Sequence, residues 1–61
     1  MNKKKIVVYQ PIGIENEEYY DAQIWVFSHN KWWYAGCGKY FRTLEDVLKY
    51  GKELELSIEF A

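Results

Sequence analysis

The fold is decided by the stretch DAQIWVFSHNKWWYAGCGKYF, residues 21–41. It is rich in β-branched and aromatic residues and is broken only by Ser28-His29-Asn30-Lys31, which predicts two strands around a tight turn. A two-residue loop at His29-Asn30 pairs Phe27 with Trp32, Val26 with Trp33, Trp25 with Tyr34 and Ile24 with Ala35. Alternation then places Ile24, Val26, Trp33, Ala35 and Cys37 on one face, and Trp25, Phe27, Trp32 and Tyr34 on the other. A loop one residue longer or shorter would exchange the faces of the residues in the strand that follows the turn.

Length and composition limit what this chain can bury. Its 61 residues predict a single domain, 1–61, and a domain of this size buries only about 60% of its unfolded surface. Aromatic residues make up 20% of the chain. One helix on one sheet face cannot cover so many rings, so we expect a second copy or a partner to cover part of them.

The remaining sequence predicts an α+β fold with the order β-β-β-α-β, a mostly antiparallel sheet and one helix packed on one face. A β-branched run ends at Gln10-Pro11, because proline lacks the N–H that a ladder needs, and a polar connection follows over Ile12–Tyr19. Gly36 and Gly38 predict a bulge in the third strand. The predicted strands are Lys4–Tyr9, Asp21–Phe27, Lys31–Phe41 and Glu53–Phe60.

The predicted helix is Leu44–Tyr50. Thr43 is its N-cap and Gly51 its stop signal. After Gly51, apolar and polar residues alternate up to Phe60, which favours a strand. A longer helix that continues through Gly51 toward Leu56 is the competing interpretation, because Lys-Glu-Leu-Glu-Leu has good helix propensity.

Catalytic, metal and cofactor sites are not expected. The only histidine, His29, falls at the hairpin tip, and the only cysteine, Cys37, is expected to be a small buried hydrophobe. A single cysteine without zinc-ligand spacing suits a reducing compartment. No signal peptide is recognised, and no apolar stretch approaches the roughly 20 residues of a membrane span, so we expect a cytoplasmic protein with no membrane association.

Charge is unevenly distributed although the net charge is only −1. Residues 28–43 contain Lys31, Lys39 and Arg42 and no acidic residue, whereas acidic residues precede and follow this stretch. Ordinary mixed-sign surface design explains this pattern. Alternatively, the hairpin is a locally basic aromatic surface.

One segment resembles a known family. Gly36-Cys37, five further residues, Thr43-Leu44-Glu45-Asp46-Val47-Leu48, two more and then Gly51-Lys52-Glu53 are similar to the corresponding pattern of HicB-like antitoxin domains. The resemblance covers residues 32–54. It implies a partial RNase-H-like fold that forms a homodimer and masks a small ribonuclease toxin without catalysis of its own.

A second resemblance competes with the first. The run from Tyr40 to Val47, preceded by three strands, is similar to the strand-to-helix junction of plant ethylene-response DNA-binding domains and integrase arm-binding domains. Those domains read DNA through Arg and Trp on the sheet. This chain has one Arg, and duplex affinity comes largely from neutralised phosphates, so this interpretation ranks second.

The sequence therefore predicts a non-enzymatic protein-binding module, either an antitoxin or a phage-type inhibitor. Its predicted partner-binding residues are Trp25, Phe27, Trp32, Tyr34, Lys31, Lys39 and Arg42. The alternative is a nucleic-acid-binding domain in which bases stack on these rings while the three cations follow the backbone. A third possibility is purely structural, with the rings covered by the Ile12–Tyr19 connection or by the helix.

Overall fold

In the part of the chain that the structure describes, four strands form one mixed sheet and a single helix packs on one side of it. The computed structural model describes residues 3–14 and 17–61, with side chains for 3–9 and 18–61. The elements are β1 (Lys4–Ile14), β2 (Glu17–Ser28), β3 (Lys31–Phe41), α1 (Leu44–Leu54) and β4 (Ile58–Phe60). The strand order is β3-β2-β1-β4. β2 pairs antiparallel with β1 and β3, and β4 is parallel to β1. The predicted α+β fold and element order are confirmed.

The β2–β3 hairpin has the predicted register up to its irregular section. Phe27 pairs with Trp32, Val26 with Trp33 and Trp25 with Tyr34. His29 and Asn30 have φ of 54° and 65°. Two successive positive φ values belong to the type I′ turn, whose twist matches that of the flanking strands. The loop therefore contains two residues.

A bulge interrupts β3 at the predicted glycines. The register shifts between Gln23 and Trp25, and Gly38 pairs with Gln23, so the predicted Ile24–Ala35 pair is wrong. Because β3 gains two residues here, the alternation of faces is the same on both sides of the bulge. Gly36 takes φ 84°, and a Cβ on Gly38 would lie 2.3 Å from the Ala22 carbonyl oxygen.

The first strand is longer than predicted. β1 continues past Pro11 to Ile14, and its register with β2 shifts between Tyr9 and Ile12. Pro11 is tolerated because it lies in this shift, where a missing N–H breaks no regular ladder bond. The predicted polar connection Ile12–Tyr19 is thus mostly strand, with β2 beginning at Glu17 instead of Asp21 and ending at Ser28. Residues 15 and 16 of that connection lie outside the described residues.

The helix begins where predicted and ends later. Thr43 Oγ1 accepts a hydrogen bond from the Asp46 N–H at 3.2 Å. The predicted end at Tyr50 is wrong, since α1 continues to Leu54, as the competing interpretation proposed. Glu55 adopts the left-handed conformation with φ 56°, and the Leu56 N–H donates to the Gly51 carbonyl, which is the Schellman pattern. The predicted strand Glu53–Phe60 therefore shrinks to Ile58–Phe60.

Gly51 lies inside α1 because the helix approaches β4 closely at this point. A Cβ there would be 2.6 Å from Ile58 Cδ1. The hydrophobic core lies beside this contact, between α1 and the sheet. Its buried members are Ile6, Val8, Ala22 and Val47, and Tyr20, Ile24, Phe41, Tyr50, Leu56 and Ile58 pack around them.

The core occupies the end of the sheet that is remote from the hairpin turn. Cys37 is exposed, so its predicted burial is wrong, and Trp33 and Ala35 on the same side of the sheet are exposed as well, Trp33 by 45%. The packed helix residues contact sheet positions such as Ala22 and Phe41 instead of the hairpin tip. Within residues 3–14 and 17–61, no helix has the length and apolarity to cross a membrane.

Candidate binding surface

The sheet face opposite α1, here called the open face, carries the predicted aromatic residues. Because Ile6, Val8 and Ala22 point toward α1, their strand neighbours point away from it. The pairing of the strands gives the open-face residues as Lys5, Val7, Tyr9, Asp21, Gln23, Trp25, Phe27, Trp32, Tyr34 and Tyr40. The structure thus brings all four predicted rings together on one face.

The four hairpin rings form two cross-strand pairs. The Trp25 and Tyr34 ring centroids are 6.0 Å apart and tilted by 41°, and those of Phe27 and Trp32 are 5.4 Å apart in an edge-to-face arrangement. These separations lie in the favourable range for aromatic pairs. Phe27 is 39% and Tyr34 51% exposed, whereas Trp25 and Trp32 are half-buried. The rings hold one another in place and leave much of their surface to solvent.

A short chain of hydrogen bonds orients Trp25. Its indole N–H donates to Gln23 Oε1 at 3.1 Å, and the Gln23 amide donates to Asp21 Oδ2 at 2.9 Å. These three side chains are successive open-face positions of β2. Because the indole N–H finds its acceptor within the row, Trp25 presents its ring in a defined orientation without a polar group from another molecule.

Lys5 places a cation against the rings of the open face. Its Nζ is 4.3 Å from the Trp32 ring centroid and 2.6 Å from Glu59 Oε2. The aliphatic part of Lys5 covers apolar surface while the ammonium is shared between a ring and a carboxylate. Beside it is a shallow depression lined by Lys5, Val7, Tyr9, Trp25, Glu59, Phe60 and Ala61. The pairing with Glu59 leaves this part of the open face without net positive charge.

The three predicted cations are not gathered with the rings. Lys39 pairs with the buried Ala22, and its Nζ is 5.8 Å from the Tyr50 ring, so it lies on the helix side. Lys31 lies on that same side, with its Nζ 4.1 Å from the Trp33 ring. Arg42, just beyond β3, lies 5.5 Å from the Tyr19 ring.

Sequence reasoning missed Lys5, Val7, Tyr9 and Gln23 as members of the surface. The signal was present in β1, where Lys5, Val7 and Tyr9 alternate with residues of the core. That alternation marks β1 as a strand with one face in the core and the other on the open face. Val7 is 7% exposed and Tyr9 38%, so β1 contributes both a floor and an accessible ring to the open face.

The hairpin turn is fixed by local contacts. Ser28 Oγ lies 2.7 Å from His29 Nδ1, and the Trp33 indole N–H donates to the Ser28 carbonyl at 2.9 Å. These contacts, together with its positive φ, fit His29 to turn geometry. Among residues 3–14 and 17–61 there is no cluster of three His, Cys, Asp or Glu residues that could hold a metal ion.

Comparison with known proteins provides no relative for this chain: no family model, curated protein or solved structure matches it.

Proposed function

We propose that this chain is a non-enzymatic protein-binding module whose open face docks on a partner protein. The observation that carries the proposal is the contiguous row of Trp25, Phe27, Trp32 and Tyr34, on which two of the rings are 39% and 51% exposed. No described element packs over this row. Contiguous exposed aromatic surface on a small protein is typical of an interaction site.

The gain from covering this surface is large for so small a protein. A ring can remove roughly 200 Å² from water, so covering the exposed parts of Phe27 and Tyr34 would contribute about 2 kcal/mol each. The chain itself is expected to have a folding free energy of about 3–9 kcal/mol. A partner on the open face would therefore stabilise the fold as well as bind to it.

The role that best fits this surface is masking of a partner, as an antitoxin or a phage-type inhibitor does. The resemblance of residues 32–54 to HicB-like antitoxin domains favours a small ribonuclease toxin as that partner, in the cytoplasm. The rings would supply the anchors, and the paired Lys5 and Glu59 would lie at their margin. The chain needs no catalytic group of its own for this role.

Nucleic-acid binding fits the charges less well. Bases could stack on the open-face rings, but Lys31 and Lys39 lie on the other side of the sheet and Lys5 is paired with Glu59. A stacking surface whose neighbouring Lys5 is already paired with a carboxylate gains less of the electrostatic contribution that dominates such binding. This function is therefore an outcome to be distinguished by experiment.

The test is affinity capture from the source cells with the wild-type chain and two matched double variants, and each extract is split into a nuclease-treated half and an untreated half. Phe27→Ala with Tyr34→Ala removes open-face rings that are 39% and 51% exposed, and Leu44→Ala with Leu48→Ala removes helix side chains that are 42% and 52% exposed. We expect a stoichiometric protein that survives nuclease and moderate salt, is lost with the open-face variant and is retained by the helix variant. Circular dichroism verifies that both variants are folded.

Two results would contradict the proposal. Equal capture by the two double variants would show that the open face is not the docking surface. Retained material that disappears with nuclease, and weakens steeply as salt rises, would instead assign the rings to nucleic-acid stacking.

A further inference from the structure

β3 is an edge of the sheet, and its outer side has no neighbour among the described residues. Its one partner is β2. An edge strand presents backbone N–H and C=O groups that can pair with another chain. Neither a helix nor a loop of the described chain covers this edge near Trp32, Trp33 and Tyr34, and Trp33 and Tyr34 are 45% and 51% exposed.

The direction of the backbone groups identifies which residues can pair. The Phe27 N–H donates to the Lys3 carbonyl at 2.7 Å, so the backbone polar groups of Phe27 point toward β1 and away from β3. Phe27 and Trp32 are therefore a non-hydrogen-bonded pair, and the backbone N–H and C=O of Trp32 point outward. Alternation gives the same outward direction to Tyr34 and directs those of Trp33 toward β2.

We propose that a second copy of this chain pairs with this edge, antiparallel, about a two-fold axis at Trp33. In this register the outward-pointing backbone N–H and C=O of Trp32 face those of Tyr34 in the second copy. By symmetry, those of Tyr34 face Trp32 of the second copy. Each such pair exchanges two backbone hydrogen bonds. A C2 arrangement of identical edges is self-complementary and closes as a dimer.

The two adjacent registers make fewer bonds. An axis at Trp32 would align Tyr34 with Asn30 of the second copy, which belongs to the turn and not to the strand. An axis at Tyr34 would align Trp32 with Gly36 of the second copy, which lies in the bulge and has φ 84°. Between the turn and the bulge, only the axis at Trp33 matches two outward-pointing residues with two others. Beyond the bulge, an axis at Lys39 would also match Gly38 with Tyr40 of the second copy, but it places two Lys39 side chains opposite each other, and like charges directly opposite are destabilising.

The side chains agree with this pairing. On the open face, Trp32 would lie beside Tyr34 of the second copy, an aromatic pair like the Trp25–Tyr34 pair within the hairpin. On the other face, the two Trp33 rings would meet at the axis. Lys31 would lie opposite Ala35 of the second copy, so like charges do not face each other. The two open faces would become one continuous surface.

The dimer goes beyond the proposed function and does not depend on it. The paired segment is short, so its interface is smaller than the roughly 800 Å² per partner of a stable complex. We therefore expect association that depends on concentration in the micromolar range. The other outer strand, β4, has only three residues, which disfavours continued growth of the sheet into a fibre.

The first experiment is sedimentation equilibrium of the full chain from about 10 μM to about 1 mM, at low salt. We expect wild-type protein to dimerise, and Trp33→Lys or Trp33→Glu alone to weaken the dimer at least about tenfold, because each places like charges opposite each other. An equimolar mixture of the two variants should restore a heterodimer. Circular dichroism verifies folding, because Trp33 also donates its hydrogen bond to Ser28.

A second experiment tests the register with the chain otherwise intact. Trp33→Cys in a Cys37→Ser background should form an intermolecular disulfide on mild oxidation, since non-hydrogen-bonded antiparallel pairs have Cα atoms about 4.5 Å apart, within disulfide range. Leu48→Cys in the same background, an exposed position on α1, is the control and should not cross-link.

Three outcomes would overturn the proposal. The first is a wild-type chain that stays monomeric at the highest concentration. The second is a dimer whose Trp33→Cys variant cross-links no better than the Leu48→Cys control. The third is a dimer that persists in folded Trp33→Lys but dissociates in Phe27→Ala, which would place the contact on the open face instead of the β3 edge.

Discussion

Gly38→Ala should be among the most damaging single substitutions in this chain. Gly38 pairs with Gln23, and its Cα faces the neighbouring strand so closely that an added Cβ would lie 2.3 Å from the Ala22 carbonyl oxygen and 3.1 Å from Gln23 Cα. Both neighbours are backbone atoms. No change of rotamer can relieve the contact, so the strands themselves must move apart.

The size of that movement sets the expected loss. Ordinary contact begins near 3.4 Å, so β3 must shift by about 1 Å from β2 beside the buried Ala22. Overpacking typically costs 1–3 kcal/mol, and the rigid neighbour places this case at about 3 kcal/mol. A 61-residue domain has about 3–9 kcal/mol of stability. The melting temperature should therefore fall by more than about 10 °C, or the chain should fail to fold.

Gly36→Ala is the matched control two residues away. Its Cβ would meet no atom within 4 Å, but the φ of 84° is unfavourable for alanine, so we expect a loss of about 1 kcal/mol. Urea denaturation followed by circular dichroism measures both. The argument from close approach is refuted if Gly38→Ala loses less than about 1 kcal/mol, or no more than Gly36→Ala.

Two further predictions concern α1. Glu55 holds a left-handed conformation at φ 56°, so Glu55→Gly should raise the free energy of unfolding by about 0.5–1 kcal/mol, measured by urea denaturation. Glu53→Gly, in the exposed last turn of the helix, should lower it by about 1 kcal/mol. Equal effects of the two substitutions would contradict the assignment of Glu55 as the helix cap. Burial and then the nearby Cys37 thiolate raise the pKa of Tyr50 above 10.0. Because the folded state favours the neutral phenol, Tyr50 contributes stability that is present below pH 10 and lost as pH rises through its folded-state pKa. Between about pH 10 and 12, the free energy of unfolding of Tyr50→Phe, measured by urea denaturation, should therefore fall less than that of the wild type.

The hairpin was predictable because its determinants are local. The two-residue loop fixes the register of Phe27 with Trp32, and the alternation of a strand fixes the face of every ring. The same alternation predicts on which face of the sheet the cations lie. Lys31 shares the parity of Trp33 rather than that of Trp32 and Tyr34, so it had to lie on the other side of the sheet.

The errors arose where a residue has two physical uses. Gly51 is typical of a helix stop, but its missing Cβ makes room for Ile58 while Glu55 takes the left-handed position. Pro11 is typical of a strand end, but the register shift between Tyr9 and Ile12 accommodates it within β1. Sequence patterns report the residue and not its neighbours, so close approach between distant elements could not be read from them.

Whether Cys37 is buried could not be predicted from the sequence either. Its parity places it on the helix side, and a lone cysteine is commonly buried, yet it is exposed because the bulge and the position of α1 leave that part of β3 uncovered. Which half of the sheet the helix covers depends on the packing of its Val47 against Ile6, Val8 and Ala22. A pattern of alternation contains no information on that choice.

The position of the tryptophans gives the molecule a built-in optical reporter. All three belong to the hairpin, so intrinsic fluorescence monitors this part of the chain and is nearly blind to α1. Trp25 and Trp32 lie on the open face, whereas Trp33 lies on the opposite side with its indole N–H bound to Ser28. In a Trp33→Phe background the emission comes from the open face alone, and with Trp25 and Trp32 both replaced by Phe it comes from the β3 edge. Spectral shifts in the two backgrounds would locate a ligand on one side of the sheet or the other without a label.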